Sequence, residues 1–378
     1  METELNQGSA AARSQPPERT GQSRTTTPEV FVWATGQDDN IGDSLLRRAY
    51  LDALRQLGSL HVWSGSASKG FSSGLGLKPD DRQLSSFREW YGAALNSSLR
   101  RPTFVAMNAG EVPVSRKGAA RLAALALLAT ICRVRGGGGL WVGAGVPSSK
   151  PGLVLAYKAA ARACVFVRWR EPGSEAIVLH RGTAPDWAFA LGDPTSDWLD
   201  HGSRTHMAVV LRGDRQEPTA EWIAWVKQLS DTLKLRPTLV VQVKRDCSRA
   251  AELADKLGAG LLAWDHEDHA TQENAVRDLY GQSALVVGDR LHGLIVAATE
   301  GAVPLGWVES SKGKVGRHFK VVGLDWVGRH EGSAPEVLPV PTVEELAGLA
   351  NELKVAVETA RQNLVVTSEG IRQTLPAN

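Results

Sequence analysis

The amino-acid sequence predicts an α/β protein built from two doubly wound, Rossmann-like domains facing a cleft. Three observations predict it. The chain has 378 residues, more than one ordinary domain holds. Short β-rich runs alternate with helix-length segments of apolar periodicity, which is the pattern of βαβ units and a parallel sheet. The alternation occurs twice, on either side of a stretch at 192–205 rich in Gly, Pro, Ser and Asp.

Taken in order, residues 1–28 are rich in Ser, Thr, Gln, Arg and Pro and poor in large apolar residues. They bury too little surface to offset chain entropy and are expected to form a disordered tail. The N-terminal domain is expected over 29–195. Its strands fall at 30–34, 60–63, 103–107, 139–142 and 164–167. Its helices fall at 43–57, 82–99, 116–133 and 157–162. Over 43–57 the apolar residues Leu45, Leu46, Ala49, Tyr50, Ala53, Leu54 and Leu57 mark one helical face. The C-terminal domain is expected over 205–330, with strands at 207–211, 238–243, 261–264, 284–287 and 303–308. Helices at 220–235, 249–257, 272–280 and 291–299 alternate with them. A last helix is expected at 343–363, within a C-terminal segment at 340–365. Ligands of such sheets bind beyond the carboxyl ends of the strands.

Composition narrows the function. Hydrophobic residues make up 43% and charged residues 22%, as in a soluble globular protein. With 43 Lys and Arg against 41 Asp and Glu the net charge is +2. That gives no bulk field for nucleic acid, so an anion site must be local. Cys132, Cys164 and Cys247 are odd in number and far apart, which excludes a disulfide scaffold and a thiolate zinc cluster and suits a reducing compartment. No apolar run reaches 18 residues, and no apolar signal core opens the chain, so a cytoplasmic location is expected. There are 12 Trp against 4 Tyr. Trp faces suit sugar rings, although scattered Trp more commonly fill cores.

The strongest site lies at 286–293, Val-Val-Gly-Asp-Arg-Leu-His-Gly, where an apolar strand runs straight into a helix. Asp289 is a natural N-cap. The first helical turn offers free N–H groups, Arg290 a two-point fork for phosphate or carboxylate, and His292 a group titrating near neutrality. Together they can bind an anion and move a proton; a plain cap with a core-facing His is the competing reading. A second site, Gly36-Gln37-Asp38-Asp39-Asn40-Ile41-Gly42-Asp43, follows the first strand. There Asp43 either caps the helix or serves as a base. The spacing is not that of a dinucleotide fingerprint. Three further strand ends point the same way: Asn108 to Glu111, Gly143 to Val146, and Arg170 to Ser174. Arg212 ends another strand. The run Asp265-His266-Glu267-Asp268-His269 has metal-ligand residue types but reads better as a solvated loop.

These pieces together resemble the polysaccharide pyruvyl transferase family. The matching segments, in order, are N-I-G-D at 40–43, N-A-G-E at 108–111, G-A-G-V at 143–146, R-E-P-G-S at 170–174, D-W-A-F-A-L at 186–191 and V-G-D-R-L-H-G-L-I at 287–295, continuing to Lys314 and His318-Phe319. The resemblance covers about 30–325. Two departures are Glu171, where the family commonly has Asp, and Ala in the middle glycine-rich turns. The resemblance implies a GT-B-like architecture, the two-domain cleft of one large glycosyltransferase class. It implies transfer of a pyruvyl group from phosphoenolpyruvate onto two hydroxyls of one sugar, giving a ketal and releasing phosphate. The family's Arg-Leu-His segment is thought to meet phosphoenolpyruvate, which carries over to Arg290, Leu291 and His292. On that chemistry Arg170, Arg212, Arg290 and Lys314, with Ser174, are expected on the donor side. His292 is expected as the acid and Asp43 as the base; Asn40, Gly42, Asn108 and Glu111 are expected toward the acceptor. No metal or further cofactor is required. A lipid-linked or soluble precursor of a cell-surface polysaccharide would be the acceptor, and a lipid-linked one would bring the protein to a membrane surface. Two competing readings are a nucleotide-sugar glycosyltransferase of the same architecture and an inactive homologue serving as a glycan-binding scaffold.

Overall fold

A computed structural model of the chain describes residues 27–148, 150, 152–308, 313–328 and 339–376. Residues 1–26 of the expected tail lie outside the described residues. Two parallel sheets organise the rest. The first contains β1 (Glu29–Trp33), β2 (Ser59–Trp63), β3 (Arg82–Leu84), β4 (Thr103–Ala106), β5 (Gly110–Glu111), β6 (Gly138–Gly145) and β7 (Cys164–Trp169). Its strand order is β3-β2-β1-β4-β6, with β7 beyond β6 and β5 pairing with the far end of β6. The helices between are α1 (Ile41–Leu54), α2 (Lys69–Gly74), α3 (Phe87–Ser98), α4 (Arg116–Arg133), α5 (Val154–Ala163) and α6 (Pro172–Ile177).

The second sheet contains β8 (His206–Val210), β9 (Arg236–Val240), β10 (Gly260–Leu262), β11 (Ser283–Gly288) and β12 (Val303–Gly306), in the order β10-β9-β8-β11-β12. Its helices are α7 (Ala220–Leu233), α8 (Cys247–Leu257), α9 (His269–Gly281), α10 (Leu291–Thr299) and α11 (Lys314–Val321), and α12 (Val343–Arg372) follows. Both sheets therefore wind outward from a central strand and reverse, between β1 and β4 and between β8 and β11. Those reversals open a crevice at the strand carboxyl ends.

The expected single helix over 82–99 is instead a strand and a helix. Arg82, Gln83 and Leu84 pair with His61, Val62 and Trp63, and Ser86 caps α3 by accepting from the Glu89 amide. The last helix runs beyond 363 to Arg372 and belongs to the interface of the two halves. Its start is a capping box between Thr342 and Glu345. Arg361 donates to the carbonyls of Leu191 and Asp193, both at 2.8 Å, and Gln56 of the first half donates to the Ser368 carbonyl.

One apolar core joins both halves: Leu45 and Leu46 of α1, Trp187 and Phe189, Leu294 of α10 and Leu353 of α12 share it. A second core, with Trp90, Leu122, Trp141 and Tyr157, lies under α3, α4 and α5 on the far face of the first sheet. Most of the Trp residues fill these cores; Trp307 lines the cleft. Cys132 and Cys164 are buried free thiols, pushed up to about 12 by burial. The acidic-histidine run at 265–269 is spent on structure. Asp268 caps α9 by accepting from the Thr271 amide. The buried His269 ring bridges the halves, to Ser44 Oγ at 2.9 Å and the Asp38 carbonyl at 2.7 Å.

Candidate active site

Two helix starts meet at the junction of the halves. Asn40 caps α1, its side chain accepting from the Gly42 amide at 3.0 Å. That leaves Asp43 in the first turn, not at the cap. The start of α1 is stitched to the second sheet by Ile41 N to Gln242 O and Lys244 N to Asp39 O. Opposite stands the start of α10, where no side chain caps the helix. Arg290, not the expected Asp289, occupies the cap position, because the Asp289 carboxylate accepts from the Arg212 amide across the sheet reversal. The two helices touch at Gly42: a Cβ there would lie 2.5 Å from His292 Nδ1. Glycine is required because His292 occupies that space.

A cleft of about 520 Å³ opens between them, lined by Asn40, Arg212, Arg290, Leu291, His292 and Lys314 among others. Along its outer wall the cations are already paired. Arg290 forks onto Asp246 at 2.8 and 2.6 Å. Arg212 forks onto Asp214 at 2.8 and 2.7 Å. Burial pushes the Asp289 carboxyl up to about 6, against the pull of the Arg212 amide and the Arg290 charge.

Behind the cleft wall at His292 the geometry differs. Arg170, 1% exposed, reaches Asp186 Oδ2 with Nη1 at 3.0 Å, and His292 Nε2 stands 3.6 Å from the same oxygen, just beyond hydrogen-bond reach. Burial opposes ionisation of Asp186, but His292 and Arg170 outweigh it and hold the carboxyl well below its usual range. His318 is buried and donates Nδ1–H to the Lys314 carbonyl at 2.6 Å, a bond that leaves Nε2 as a bare lone pair. Burial, then the nearby Arg170 charge, keeps this ring neutral by lowering its pKa well below the usual value. Arg170 Nε, His292 Nε2 and His318 Nε2 are buried without hydrogen-bond partners among the described residues.

The acceptor-side residues form a neighbouring ring. Asp43 accepts from the Gln37 amide at 2.8 Å and faces Arg47 at 3.5 Å. Burial raises its pKa, and Arg47, the Gln37 amide, His292 and Lys314 bring it below the ordinary value. Arg47 is itself held by Asn108 at 3.0 Å, and Asn108 donates to the Thr35 carbonyl. Glu111 pairs across the cleft with Lys314 at 2.6 Å and lies 4.0 Å from Arg170. Ser174 stands apart, fully buried: its hydroxyl accepts from the Val146 amide and donates to Glu171, whose other oxygen pairs with Arg317 of α11. Six of the twelve expected site residues, Asn40, Arg212, Arg290, Leu291, His292 and Lys314, line the cleft; Gly42 packs on His292, Asp43, Asn108, Glu111 and Arg170 belong to the hydrogen-bond and ion-pair networks beside it, and Ser174 braces the turn behind Arg170. Sequence reasoning gave no role to Arg47, Asp186, His318 or Asp246. The signal for Arg47 was its place four residues after Asp43; Asp186 and His318 were visible only as members of matching segments.

The two sheets and their cleft define the GT-B architecture. Structural similarity supports this at the level of the fold. A UDP-GlcNAc 2-epimerase from Neisseria meningitidis, bound to UDP-GlcNAc, aligns with a TM-score of 0.55 at 10% identity, over 90% of this chain and 99% of that one. Anabaena HepE in complex with UDP and glucose aligns with a TM-score of 0.51 at 11% identity, over 92% and 98%. No curated protein sequence matches the chain. The family is given by sequence: the model of the polysaccharide pyruvyl transferases matches residues 40–303, and the chain belongs to that family.

Proposed function

We propose that the protein transfers the pyruvyl group of phosphoenolpyruvate to two hydroxyls of a sugar in a cell-surface polysaccharide or its precursor. The observation that carries this reading is the buried cluster behind the cleft wall at His292. Two buried nitrogens without protein partners, Arg170 Nε and His292 Nε2, lie by the ionised Asp186 near an uncapped helix start, and the unpartnered His318 Nε2 adds a lone pair. A small donor with a carboxylate and a phosphate has the acceptor oxygens that Arg170 Nε and His292 Nε2–H lack, while the His318 lone pair is left to accept from a hydroxyl.

The donor's methylene carbon takes a proton from His292, and its central carbon becomes electrophilic. One sugar hydroxyl adds there and releases its proton to His318 Nε2 or Asp43. The bond to the phosphate oxygen breaks, and phosphate leaves. The second hydroxyl adds to the same carbon, returns its proton to the His292 ring and closes the ketal, and the departing phosphate carries away the proton taken from the first hydroxyl. Arg170 offsets the donor's negative charge, and Asp186 keeps Arg170 and the His292 ring in place. Lys314, held across the cleft by Glu111, adds charge near the leaving phosphate.

One observation favours a second reading, a nucleotide-sugar transferase: the partly exposed Trp307 on the outer wall offers a face for a base. Incubation with phosphoenolpyruvate and a panel of lipid-linked and aryl glycosides separates the two. The expected products are inorganic phosphate and a glycoside heavier by one pyruvyl ketal in the mass spectrum. Release of a nucleoside diphosphate from a sugar nucleotide, with no phosphate from phosphoenolpyruvate, would overturn the proposal.

A further inference from the structure

The net charge of +2 conceals a strong segregation. Between Trp90 and Arg170 the chain carries twelve Lys and Arg and a single acid, Glu111. That acid pairs with the cleft residue Lys314. The remainder of the chain is correspondingly acidic. Residues 90–170 include most of α3 and all of α4 and α5, the outer layer of the first sheet over its second core. Arg170 belongs to the buried cluster beside His292, whereas Arg116, Lys117, Arg133, Arg135 and Arg162 are exposed on α4, just past its end and on α5.

The exposed face of α4 is unusual for a solvated helix. Its outward positions recur as Arg116, Ala120, Ala123, Leu127, Thr130 and Val134, all exposed, with Leu127 at 60% and Val134 at 84%. A surface helix ordinarily turns charge outward along such a row. Here the row is apolar in the middle and basic at its ends, where Lys117, Arg133 and Arg135 are also exposed. The neighbouring α5 adds exposed Leu155, 64% accessible, and exposed Arg162. Arg121 is the exception: it is stacked over Trp33 and Trp63 at 4.9 and 4.8 Å and serves the core beneath. Only four residues of chain separate Glu111, which pairs with the cleft residue Lys314, from Arg116 at the start of α4, so the basic end of this face lies near the cleft.

We propose that the outer face of α4 and α5 docks on an anionic lipid bilayer, with Leu127, Val134 and Leu155 entering the interface and the surrounding Arg and Lys meeting lipid headgroups. α4 is apolar on its buried and its exposed faces, and an exposed apolar stripe between acid-free basic flanks matches the acyl boundary and anionic headgroups of a bilayer. The same stripe has the spacing of a helix–helix seam, so a second copy of the chain could cover it. Charge decides against that occupant: seam on seam would set Arg116, Arg133 and Arg135 of one copy against their equivalents, with no acid on either face. The inference does not depend on the donor, and it stands or falls separately from the pyruvyl transfer proposed above.

Co-sedimentation of the full chain with vesicles tests it. Binding is expected to phosphatidylcholine vesicles containing phosphatidylglycerol and not to phosphatidylcholine alone, and to weaken with salt. Replacing Arg133 and Arg135 together by Ala is expected to lower partitioning roughly thirtyfold, from the usual worth of two basic residues at such a surface. Leu127→Ser with Val134→Ser is expected to lower it as well. All four positions are exposed, so melting temperature and activity on a soluble aryl glycoside are expected to hold. Absence of binding to the anionic vesicles overturns the proposal, as does binding that both double variants leave unchanged. A wild-type dimer in sedimentation equilibrium that the Leu127/Val134 variant dissociates would assign the face to a second copy instead.

Discussion

On the outer wall of the cleft Arg212 is held by Asp214, Arg245 by Asp39 and Arg290 by Asp246, each through two nitrogens. Behind the cleft wall one carboxylate, Asp186, stands among Arg170, His292 and His318, and each of those three retains a buried nitrogen with no partner among the described residues, a donor on Arg170 and His292 and a lone pair on His318. In the one place each guanidinium has its own carboxylate; in the other a guanidinium and two imidazoles surround one. A guanidinium already forked onto a carboxylate has little left to offer an anion except its remaining N–H. A buried donor without an acceptor loses part of its hydration without compensation, and a ligand that supplies the acceptor recovers that loss. Unsatisfied donors, here Arg170 Nε and His292 Nε2, and not the number of cations, mark the place where an anionic substrate gains most.

The sharpest way to break this comparison is at His292. If its Nε2 delivers the proton, His292→Gln is expected to lower turnover by about 10²–10⁴, the usual share of general acid–base catalysis. Gln keeps a polar group of similar reach beside Gly42, so melting temperature is expected to hold. Single-turnover rates and thermal melts on one preparation decide it. Near wild-type turnover in a folded variant would remove His292 from the reaction.

Next in size is the Arg170–Asp186 pair, both members nearly fully buried. Arg170→Met leaves Asp186 short of its main partner. Breaking such a pair on one side typically costs about 3–5 kcal/mol. Asp186→Leu is expected to cost a similar amount, and the double variant less than the two together, as coupled neighbours do. Urea unfolding of the three variants measures this. Additive losses would mean that the two side chains act independently.

How much of this was legible beforehand follows from the range of the interactions. The strands β8 and β11 are buried on both faces and read as continuous apolar runs, Met-Ala-Val-Val and Ala-Leu-Val-Val, so the alternation that gives the fold was visible. The edge strand at Arg82–Leu84 has neither an apolar run nor alternation, and it was absorbed into the following helix. The helix α2 is rich in Gly and Ser and shows no period; its Gly70 is there because Glu267 of the other half packs against it. In the site, Arg290 and His292 announced themselves by their place after a strand. That Arg290 is spent on Asp246, 44 residues away, and that Arg317 reaches back 146 residues to Glu171, are properties of the folded chain that one sequence does not display. Asp289 looked like a cap for the same reason: local rules assign it to its own helix, and the sheet reversal gives it to Arg212.

A third test uses pH and concerns Asp289 on the outer wall. Burial raises its carboxyl to about 6 from an ordinary 3.8. A carboxyl raised on folding favours the protonated form, so its contribution is fully present below about pH 4 and is lost as pH rises through about 6. Two units correspond to about 3 kcal/mol. Asp289→Asn keeps an oxygen for the Arg212 amide and removes the charge. Relative to wild type, the variant is expected to gain up to about 3 kcal/mol between about pH 4 and pH 7 in urea unfolding. Parallel stability profiles would show that the Asp289 charge is adequately compensated by Arg290 and Arg212.

The smallest effect is expected where the sequence alone suggested the largest, at Arg290. Its fork is the feature that fits a phosphate in two-point fashion, yet both arms of that fork lie on Asp246, which also accepts from the Gly213 amide. A donor bound at the start of α10 therefore meets the helix amides and at most the one remaining Arg290 nitrogen. Arg290→Lys keeps the charge and a single contact to Asp246, so donor affinity is expected to fall by only about 0.5–1.5 kcal/mol, the net worth of one ordinary hydrogen bond. Asp246→Asn extends the test. If the carboxylate's role is to hold the fork in place, this variant is expected to weaken donor binding by a similar amount. If instead it competes with the donor for the fork, affinity will rise. Calorimetric titration with phosphoenolpyruvate reads both variants directly. A loss of about 3 kcal/mol or more in Arg290→Lys, or tighter binding in Asp246→Asn, would place the two-point anion contact on the outer wall and reverse the order argued for Arg170 and Arg290.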